Sequence, residues 1–151
     1  MDKDFKNLLL RHCRRLLEER IANSDAAMKR SQESANSEEK SSAGDKYETS
    51  KAMGQLDRDM YAKQLAEARH ELDLLNQINF EKQAEQIVAG SVIHTTSGLF
   101  FIAVGIGRIE FKGKQVTVLS LKAPLAKMLV GKRVGEEFEL NGKSVRIGGV
   151  E

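Results

Sequence analysis

Asp45 and Glu48 are the residue pair in this sequence whose types and spacing best suit chemistry. Two carboxylates placed three residues apart at the start of a helix can point the same way. Such a pair can share a hard divalent cation with groups on a partner and can orient a water molecule for attack on a phosphodiester. The same pattern fits a helix cap, in which Asp is the N-cap and Glu follows in the capping-box position. Spacing alone favours the cap, but the two roles are compatible because a capping carboxylate still presents an oxygen.

The residues around this pair have a mixed charge. Lys46 can meet an RNA phosphate, and Tyr47 can stack on a base or simply pack across a turn. Glu33, Glu38 and Glu39 offset the nearby basic residues, so a solvated face is favoured over a phosphate track. The basic residues are Lys29, Arg30, Lys40, Lys46 and Lys51.

The other reactive residue types lack the spacing of a known site. His12, His70 and His94 are far apart in sequence, which favours helix-surface or interface positions over metal binding. The single cysteine, Cys13, lies in an apolar stripe, and we expect it to be a small core residue. There is no P-loop, nucleophile elbow or HExxH motif, and Gly105-Ile106-Gly107 lacks the rest of a dinucleotide fingerprint.

Glycine divides the chain into two parts. Residues 1–89 contain only Gly44 and Gly54, whereas residues 90–151 contain the other ten glycines. A glycine-poor, charge-rich segment followed by a glycine-rich one predicts helices followed by short strands and tight turns. We therefore predict an α+β protein with a helical domain at 1–89 and a β domain at 90–151.

The first domain is predicted to be an antiparallel two-helix coiled-coil hairpin. One helix runs from about Asp4 to about Lys40 and the other from about Tyr47 to about Val88, with a tip near residues 41–48 where Gly44 can end the first helix. An arm of this size extends roughly 45–50 Å. Two apolar stripes close the hairpin. The first has steps of three, four and seven residues, and the second has steps of four and three: Leu10, Cys13, Leu17, Ile21 and Met28, then Tyr61, Leu65, Ala68, Leu72 and Leu75.

The second domain is predicted to be a small antiparallel sheet with one short helix, Pro124 to Val130. Asn141-Gly142 is the strongest hairpin turn in the sequence. Phe100, Phe101, Phe111 and Phe138 are expected in the core. The predicted strands are Ser91–Thr95, Leu99–Val104, Arg108–Phe111, Gln115–Leu119, Glu137–Leu140 and Lys143–Ile147.

Charge and hydropathy limit the partners and the cellular location that we expect for the protein. The net charge is only +2, which excludes the general affinity for nucleic acid of a DNA-packaging protein. The N-terminus is charged and no apolar run approaches the roughly 20 residues that cross a bilayer. We expect a soluble, cytoplasmic protein without a membrane partner. We also expect a monomer, because the hairpin satisfies its own apolar stripe.

Two motifs resemble the Gre family of bacterial transcription elongation factors. Gly44-Asp45-Lys46-Tyr47-Glu48 matches the Gly-Asp-x-x-Glu of the family's hairpin tip. The stretch from Ala123-Pro124 to Gly131-Lys132, followed by Val134-Gly135-Glu136, resembles the family's Ser-Pro-(aliphatic)-x-(Arg/Lys)-x-Leu-(aliphatic)-Gly-Lys and the Val-Gly-Asp after it. The predicted architecture is also similar, and the resemblance covers essentially the whole chain.

The resemblance implies an FKBP-like β domain and a polymerase cofactor that is not itself an enzyme. Such factors insert the hairpin into the secondary channel of a backtracked bacterial RNA polymerase, where the polymerase cuts its own transcript near the RNA 3′ end. Asp45 and Glu48 would be the catalytic acids that help to hold Mg²⁺ shared with the polymerase, and no cofactor would be bound by the chain alone. Lys46 and Tyr47 would lie near the RNA, and Pro124 would contact the rim of the channel.

Departures from the family pattern keep a second hypothesis open. Lys46 places a cation beside the acids, and Glu48 is followed by Thr49-Ser50 instead of the family's Asn-x-Glu-Tyr continuation. Lys122 stands where polar or acidic residues are common in the family, and Ala123 replaces the usual Ser. These changes support a regulator that occupies the channel without promoting cleavage. A prolyl isomerase is a remote alternative, suggested only by the FKBP-like resemblance of the second domain, because its site needs a concave aromatic pocket.

Overall fold

Two long helices that contact each other form the first half of the fold. The computed structural model describes residues 3–41, 45–81 and 85–151, and within them the side chains of 4–34, 48–81 and 85–151. Helix α1 spans Lys3–Ser41 and helix α2 spans Asp45–Gln77. The predicted helical hairpin is confirmed, while the predicted turn residues 42–44 lie outside the described residues.

Helix α2 ends well before the predicted position, Val88, and two features explain the difference. The side chain of Asn79 accepts a hydrogen bond from the backbone N–H of Glu81, which starts a turn directly after the helix. Further on, Ile87 is fully buried in the core of the sheet, and its backbone is hydrogen-bonded to Gly131 and Lys132. The apolar pattern around Ile87 therefore belongs to the sheet and not to the helix.

The chain folds into two compact units. One consists of Arg15–Leu72, and the other consists of Met1–Arg14 together with Asp73–Glu151. In the first unit the apolar stripes bury Leu17, Leu65 and Ala68, together with the small polar Ser24. The stripe therefore lies where the steps of three and four residues predict it.

The second unit contains a six-stranded sheet in the order β3-β4-β2-β1-β6-β5. All six strands occur within a few residues of the predicted positions. Their bounds are β1 Val92–Thr95, β2 Gly98–Ala103, β3 Gly107–Phe111, β4 Lys114–Ser120, β5 Glu137–Leu140 and β6 Lys143–Val150.

The sheet is mixed, which corrects the prediction of a wholly antiparallel one. Strands β2 and β4 are parallel, with Leu99 opposite Val116 and Ala103 opposite Ser120. Strand β3 is displaced to the edge, where it pairs only with β4 among the described strands. The sequence carries a trace of this arrangement, since β2 is a continuous buried apolar run from Leu99 to Ala103, as is common for strands with a parallel neighbour.

The short helix α3, Pro124–Leu129, closes the core of the sheet. Pro124 lies in its first turn, and the helix ends one residue before the predicted Val130, whose backbone N–H donates to the carbonyl of Ala126. Helix α3 buries Ala126 and Leu129 against the sheet. The other buried residues of this cluster are Ile87, Ile93, Phe100, Ile102, Phe138, Val145 and Ile147.

The first turns of α1 pack in the same unit as the sheet. The ring of Phe111 lies 5.7 Å from the ring of Phe5 and 5.0 Å from that of His12, measured between centroids. The ammonium of Lys6 donates a 3.2 Å hydrogen bond to the backbone carbonyl of Glu151. Burial lowers the pKa of Lys6, while attraction to Glu151 opposes that shift.

The Asn141-Gly142 turn forms as predicted between β5 and β6. Asn141 has φ 53° and Gly142 has φ 79°, the positive values that a tight two-residue hairpin requires. Among the described helices, none combines the length and the apolar character needed to cross a membrane.

Gly90 connects the segment after α2 to β1 and cannot accept a side chain without strain. Its φ is +93°, and an added Cβ would lie 3.1 Å from Cγ2 of Ile78 and 3.3 Å from the carbonyl oxygen of Asn79. We predict that Gly90→Ala lowers the free energy of unfolding by about 2 kcal/mol or more, because positive φ alone costs a non-glycine residue about 1–2 kcal/mol. Urea unfolding followed by circular dichroism measures the change.

Gly148→Ala is the matched control for this prediction. A Cβ at Gly148 would meet only the carbonyl oxygen of His94, at an ordinary 3.7 Å. The control should unfold within about 1 kcal/mol of the parent protein, as most changes free of clashes do. Equal stability of the two variants would contradict the packing described for Gly90.

Candidate functional site at the start of helix α2

The backbone places Asp45 and Glu48 together in the first turn of α2. Helix α1 ends at Ser41 and α2 begins at Asp45, so the Gly-Asp-x-x-Glu motif falls at the junction of the two long helices. The side chain of Glu48 is exposed. The side chains of Asp45, Lys46 and Tyr47 lie outside the described ones, and their roles stay predictions.

A helix N-terminus suits negative charge. The first backbone N–H groups of a helix have no partner within the helix, and the helix dipole adds partial positive charge there. Both the capping role and the cation-binding role of Asp45 and Glu48 use this environment. The exposure of Glu48 leaves its carboxylate open to an external cation, and carboxylate oxygens are the donors that Mg²⁺ prefers.

Two carboxylates cannot complete the coordination of a metal ion. Across the described part of the chain, no cluster of three or more His, Cys, Asp or Glu side chains is arranged to hold one. Mg²⁺ takes about six oxygen ligands, so the remaining donors would have to come from water and from a partner. The side chain of Asp45 lies outside the described ones, so a cation shared with a partner stays a prediction.

The basic residues near the motif are partly paired. The ammonium of Lys29 lies 3.0 Å from the carboxylate of Asp25 one turn earlier in α1, whereas Arg30 is exposed. Lys51 is half-buried and has a partner. The side chains of Lys40 and Lys46 lie outside the described ones, so the choice between a solvated face and a phosphate track stays a prediction.

Sequence reasoning missed an exposed apolar stripe on α2. Met53, Leu56 and Met60 are 61%, 67% and 46% exposed. Their spacing of three and four residues places them on one face of the helix. The signal was present as a second apolar pattern, offset from the buried stripe that contains Leu65 and Ala68.

Pro124 lies on the outer face of α3. Its side chain is exposed, as are those of Lys127 and Met128, while Ala126 and Leu129 point into the core. Ala123, the N-cap residue, makes no side-chain hydrogen bond to the helix. The helix start therefore depends on Pro124 and on core packing instead of a polar cap.

The three histidines lie in different surroundings, and the cysteine lies in the core. His12 stacks on Phe111, and Nε2 of His94 lies 3.3 Å from a carboxylate oxygen of Glu151. His70 is exposed on α2. Cys13 is fully buried, which confirms its prediction as a core residue.

No protein-family model matches the chain, and no curated protein shows significant similarity to it. The architecture, the motif at the start of α2 and the surface of α3 are therefore the features that bear on function.

Cys13 is predicted to be unreactive while the protein is folded. Burial raises the pKa of its thiol from the ordinary 9.0 to about 12. At pH 8 the thiolate fraction is then about 1,000-fold below that of an unfolded chain, because each pKa unit is a factor of ten. Reaction with a thiol-specific disulfide reagent should be slow in native buffer and fast in denaturant.

Burial of the Cys13 thiol also makes the stability of the folded protein depend on pH. Because the folded-state pKa is the higher one, the neutral buried thiol contributes stability below about pH 9, and that contribution is lost as the pH rises toward 12. Cys13→Ser supplies the blank for the labelling reaction. A native labelling rate within tenfold of the unfolded rate would show that the thiol is accessible.

Proposed function

We propose that this chain is an RNA polymerase-binding factor of the Gre type, which enters the secondary channel and stimulates cleavage of backtracked RNA. The observation that carries the proposal is the position of the acidic motif. Asp45 and Glu48 occupy the first turn of α2, directly after the junction with α1, in a hairpin of two long contacting helices. The β unit with its single short helix supports the same architecture among the described residues.

Each functional residue has a distinct role in this proposal. Asp45 and Glu48 present carboxylate oxygens to a cation that the polymerase also holds, and they position the attacking water by hydrogen bonds. Mg²⁺, when held there, supplies a hard Lewis acid at the phosphodiester. Lys46 pairs with an RNA phosphate, and Tyr47 stacks on a base near the transcript 3′ end.

The β unit contributes binding instead of chemistry. Pro124 and its exposed neighbours on α3 meet the rim of the channel, and the hairpin acts within it. The chain itself is then not an enzyme, since the cut is made by the polymerase. We further propose that the factor acts as a cytoplasmic monomer without a cofactor of its own.

The alternative is a channel-occupying regulator without cleavage activity. Lys46 favours it, because an ammonium between Asp45 and Glu48 in sequence can neutralise the charge that would attract a divalent cation. In this case polymerase binding and inhibited nucleotide addition would persist after both acids are removed.

If Asp45 and Glu48 act in cleavage, removing both carboxylates should slow the cleavage of RNA. In stalled, backtracked elongation complexes from the same organism, the protein should shorten the RNA when Mg²⁺ is present. Asp45→Ala/Glu48→Ala should slow this reaction by about tenfold or more, the factor that corresponds to about 1.4 kcal/mol of lost transition-state stabilisation. Gel analysis of 3′-end-labelled transcripts measures the rate.

Asp57→Ala/Glu67→Ala is the matched control, because both residues are exposed on the same helix and their removal changes the charge equally. The control should cleave at the parental rate. Equal cleavage by both double variants would remove the catalytic assignment. Inhibition of nucleotide addition that survives loss of Asp45 and Glu48 would instead establish the alternative.

A further inference from the structure

Strand β3 forms one edge of the six-stranded sheet. It pairs with β4 on one side, and among the described strands none lies on its other side. The strand has five residues, Gly107–Phe111, and contains no proline. An edge strand presents a row of backbone N–H and C=O groups that can pair with another strand. The outer side of β3 is therefore a place where a further strand can be added.

The turn that joins β3 to β4 shows which residues bond across the hairpin. Lys112 and Gly113 have φ of 51° and 75°, and the strands pair directly on either side of them, with Phe111 opposite Lys114. A tight two-residue turn of this kind closes on a hydrogen-bonded pair. The backbone groups of Phe111 therefore point toward β4.

Arg108 and Glu110 present their backbone groups to the open edge. Bonded and non-bonded residues alternate along an antiparallel pair. Counting back from Phe111, Ile109 also bonds to β4, whereas the backbone groups of Arg108 and Glu110 point away from it. Both charged side chains are exposed, and the residues opposite them on β4 are uncharged. Among the described side chains, neither charge belongs to an ion pair.

The two charges select one register for pairing with a second copy of β3. Only residues whose backbone groups face outward can form the new hydrogen bonds, so Arg108 and Glu110 must pair with the same two residues of the second copy. An antiparallel pairing centred on Ile109 places each arginine opposite a glutamate. Pairings centred one residue away place Arg108 or Glu110 opposite itself, and like charges directly opposite each other are destabilising.

We infer that β3 pairs with β3 of a second copy of this chain, antiparallel and centred on Ile109, and joins two six-stranded sheets into one. Each pair of Arg108 with Glu110 exchanges two backbone hydrogen bonds and brings opposite charges together across the strands. The same patch is used by both copies, so the assembly closes as a dimer.

The aromatic side chains beside β3 are compatible with this pairing. The rings of Phe5 and His12 pack on Phe111, at the end of the strand. In the register centred on Ile109, Phe111 lies opposite Gly107 of the second copy, which has no side chain. The aromatic cluster therefore meets no side chain of the opposing strand at that position.

The other edge of the sheet lacks such complementarity. Strand β5 is joined to β6 by the two-residue turn Asn141-Gly142, with Leu140 opposite Lys143. By the same alternation, Glu137 and Glu139 face outward from β5. Every register that pairs these two residues with their own copies places glutamate opposite glutamate. Of the two edges, only β3 has charges that favour a second copy.

This dimer goes beyond the proposed function, which is assigned to the monomer. Two paired strands of five residues form an interface below the roughly 1,200 Å² of stable complexes. The dimer is therefore weak, and it forms as the protein concentration rises. It is a state of the free protein that dissociates on dilution.

Exchange of the two charges tests the pairing. Arg108→Glu or Glu110→Arg alone places like charges opposite each other, and each should raise the dissociation constant of the dimer about tenfold or more. An equimolar mixture of the two variants restores opposite charges between unlike copies and should associate again. The double variant Arg108→Glu/Glu110→Arg should dimerise like the parent. Sedimentation equilibrium over a range of protein concentrations measures the constant.

Glu139→Arg is the matched control for Glu110→Arg. It makes the same change of charge at an exposed position on the other edge strand. This control should dimerise within about twofold of the parent, because exposed charges away from the interface contribute little. Circular dichroism confirms that each variant is folded.

A disulfide trap tests the register. Ile109→Cys, made together with Cys13→Ser, places two thiols opposite each other in a non-bonded pair, with Cα atoms about 4.5 Å apart. That separation is within the range that a disulfide spans. Oxidised glutathione should therefore convert this variant to a covalent dimer on a non-reducing gel. Glu139→Cys in the same background should stay monomeric.

Three results would overturn the inference. A chain that stays monomeric even at millimolar concentration would leave the edge to a strand of some other protein. A dimer that survives both single charge reversals would not use β3 in this register. A dimer lost instead in Leu56→Gln would assign association to the exposed stripe of α2. None of these results bears on the RNA cleavage assay, which reports separately on Asp45 and Glu48.

Discussion

The narrow apolar stripe between the two long helices is the constraint on which the hairpin depends. The chain has no tryptophan, and the described apolar side chains that are buried in α1 and α2 are few: Leu9, Cys13, Leu17, Leu65, Ala68 and Leu75. Burial of each large aliphatic side chain stabilises the pair by about 1.5–3 kcal/mol. Between Ser24 and Leu65, no apolar side chain is fully buried among those described. Among the described side chains, packing therefore stabilises the helices mainly near Leu17 and Leu65, and the residues toward the junction receive less support from burial.

This distribution has a consequence for the acidic motif. The first turn of α2 receives little help from burial nearby, because Glu48 and Thr49 are exposed and Ser50 is half-buried. Local stability falls where few apolar contacts support a helix. A cap by Asp45 would therefore matter to the stability of the free helix, and a capping carboxylate still presents an oxygen to an external cation. Under the proposed function, one carboxylate would serve both as the helix cap and as a cation ligand.

Much of the fold could be predicted from sequence because its signals are local. Glycine punctuation marked the strands, Asn141-Gly142 marked a hairpin, and Pro124 marked the start of α3. The end of α2 could not be predicted, because the burial of Ile87 depends on backbone partners at Gly131 and Lys132, far away in the sequence. The parallel pairing of β2 with β4 was missed for the same reason, since alternation of apolar residues does not encode the direction of a neighbouring strand.

Some features of the candidate site can also be predicted from the sequence, and others cannot. The motif at Asp45 and Glu48 and the proline at 124 are visible in the sequence, whereas the exposure of Met128 and Val130 is not, since an apolar residue in a short helix is usually expected in the core. The two regions also differ in charge: two carboxylates flank Lys46 at the start of α2, whereas residues 121–135 contain four basic residues and no Asp or Glu. Rim charges act chiefly on association and are screened by salt, whereas carboxylates in a transition state act on the chemical step. Under the proposed function, docking and cleavage would therefore respond to different changes in solution, so that a defect in one could be recognised without a defect in the other.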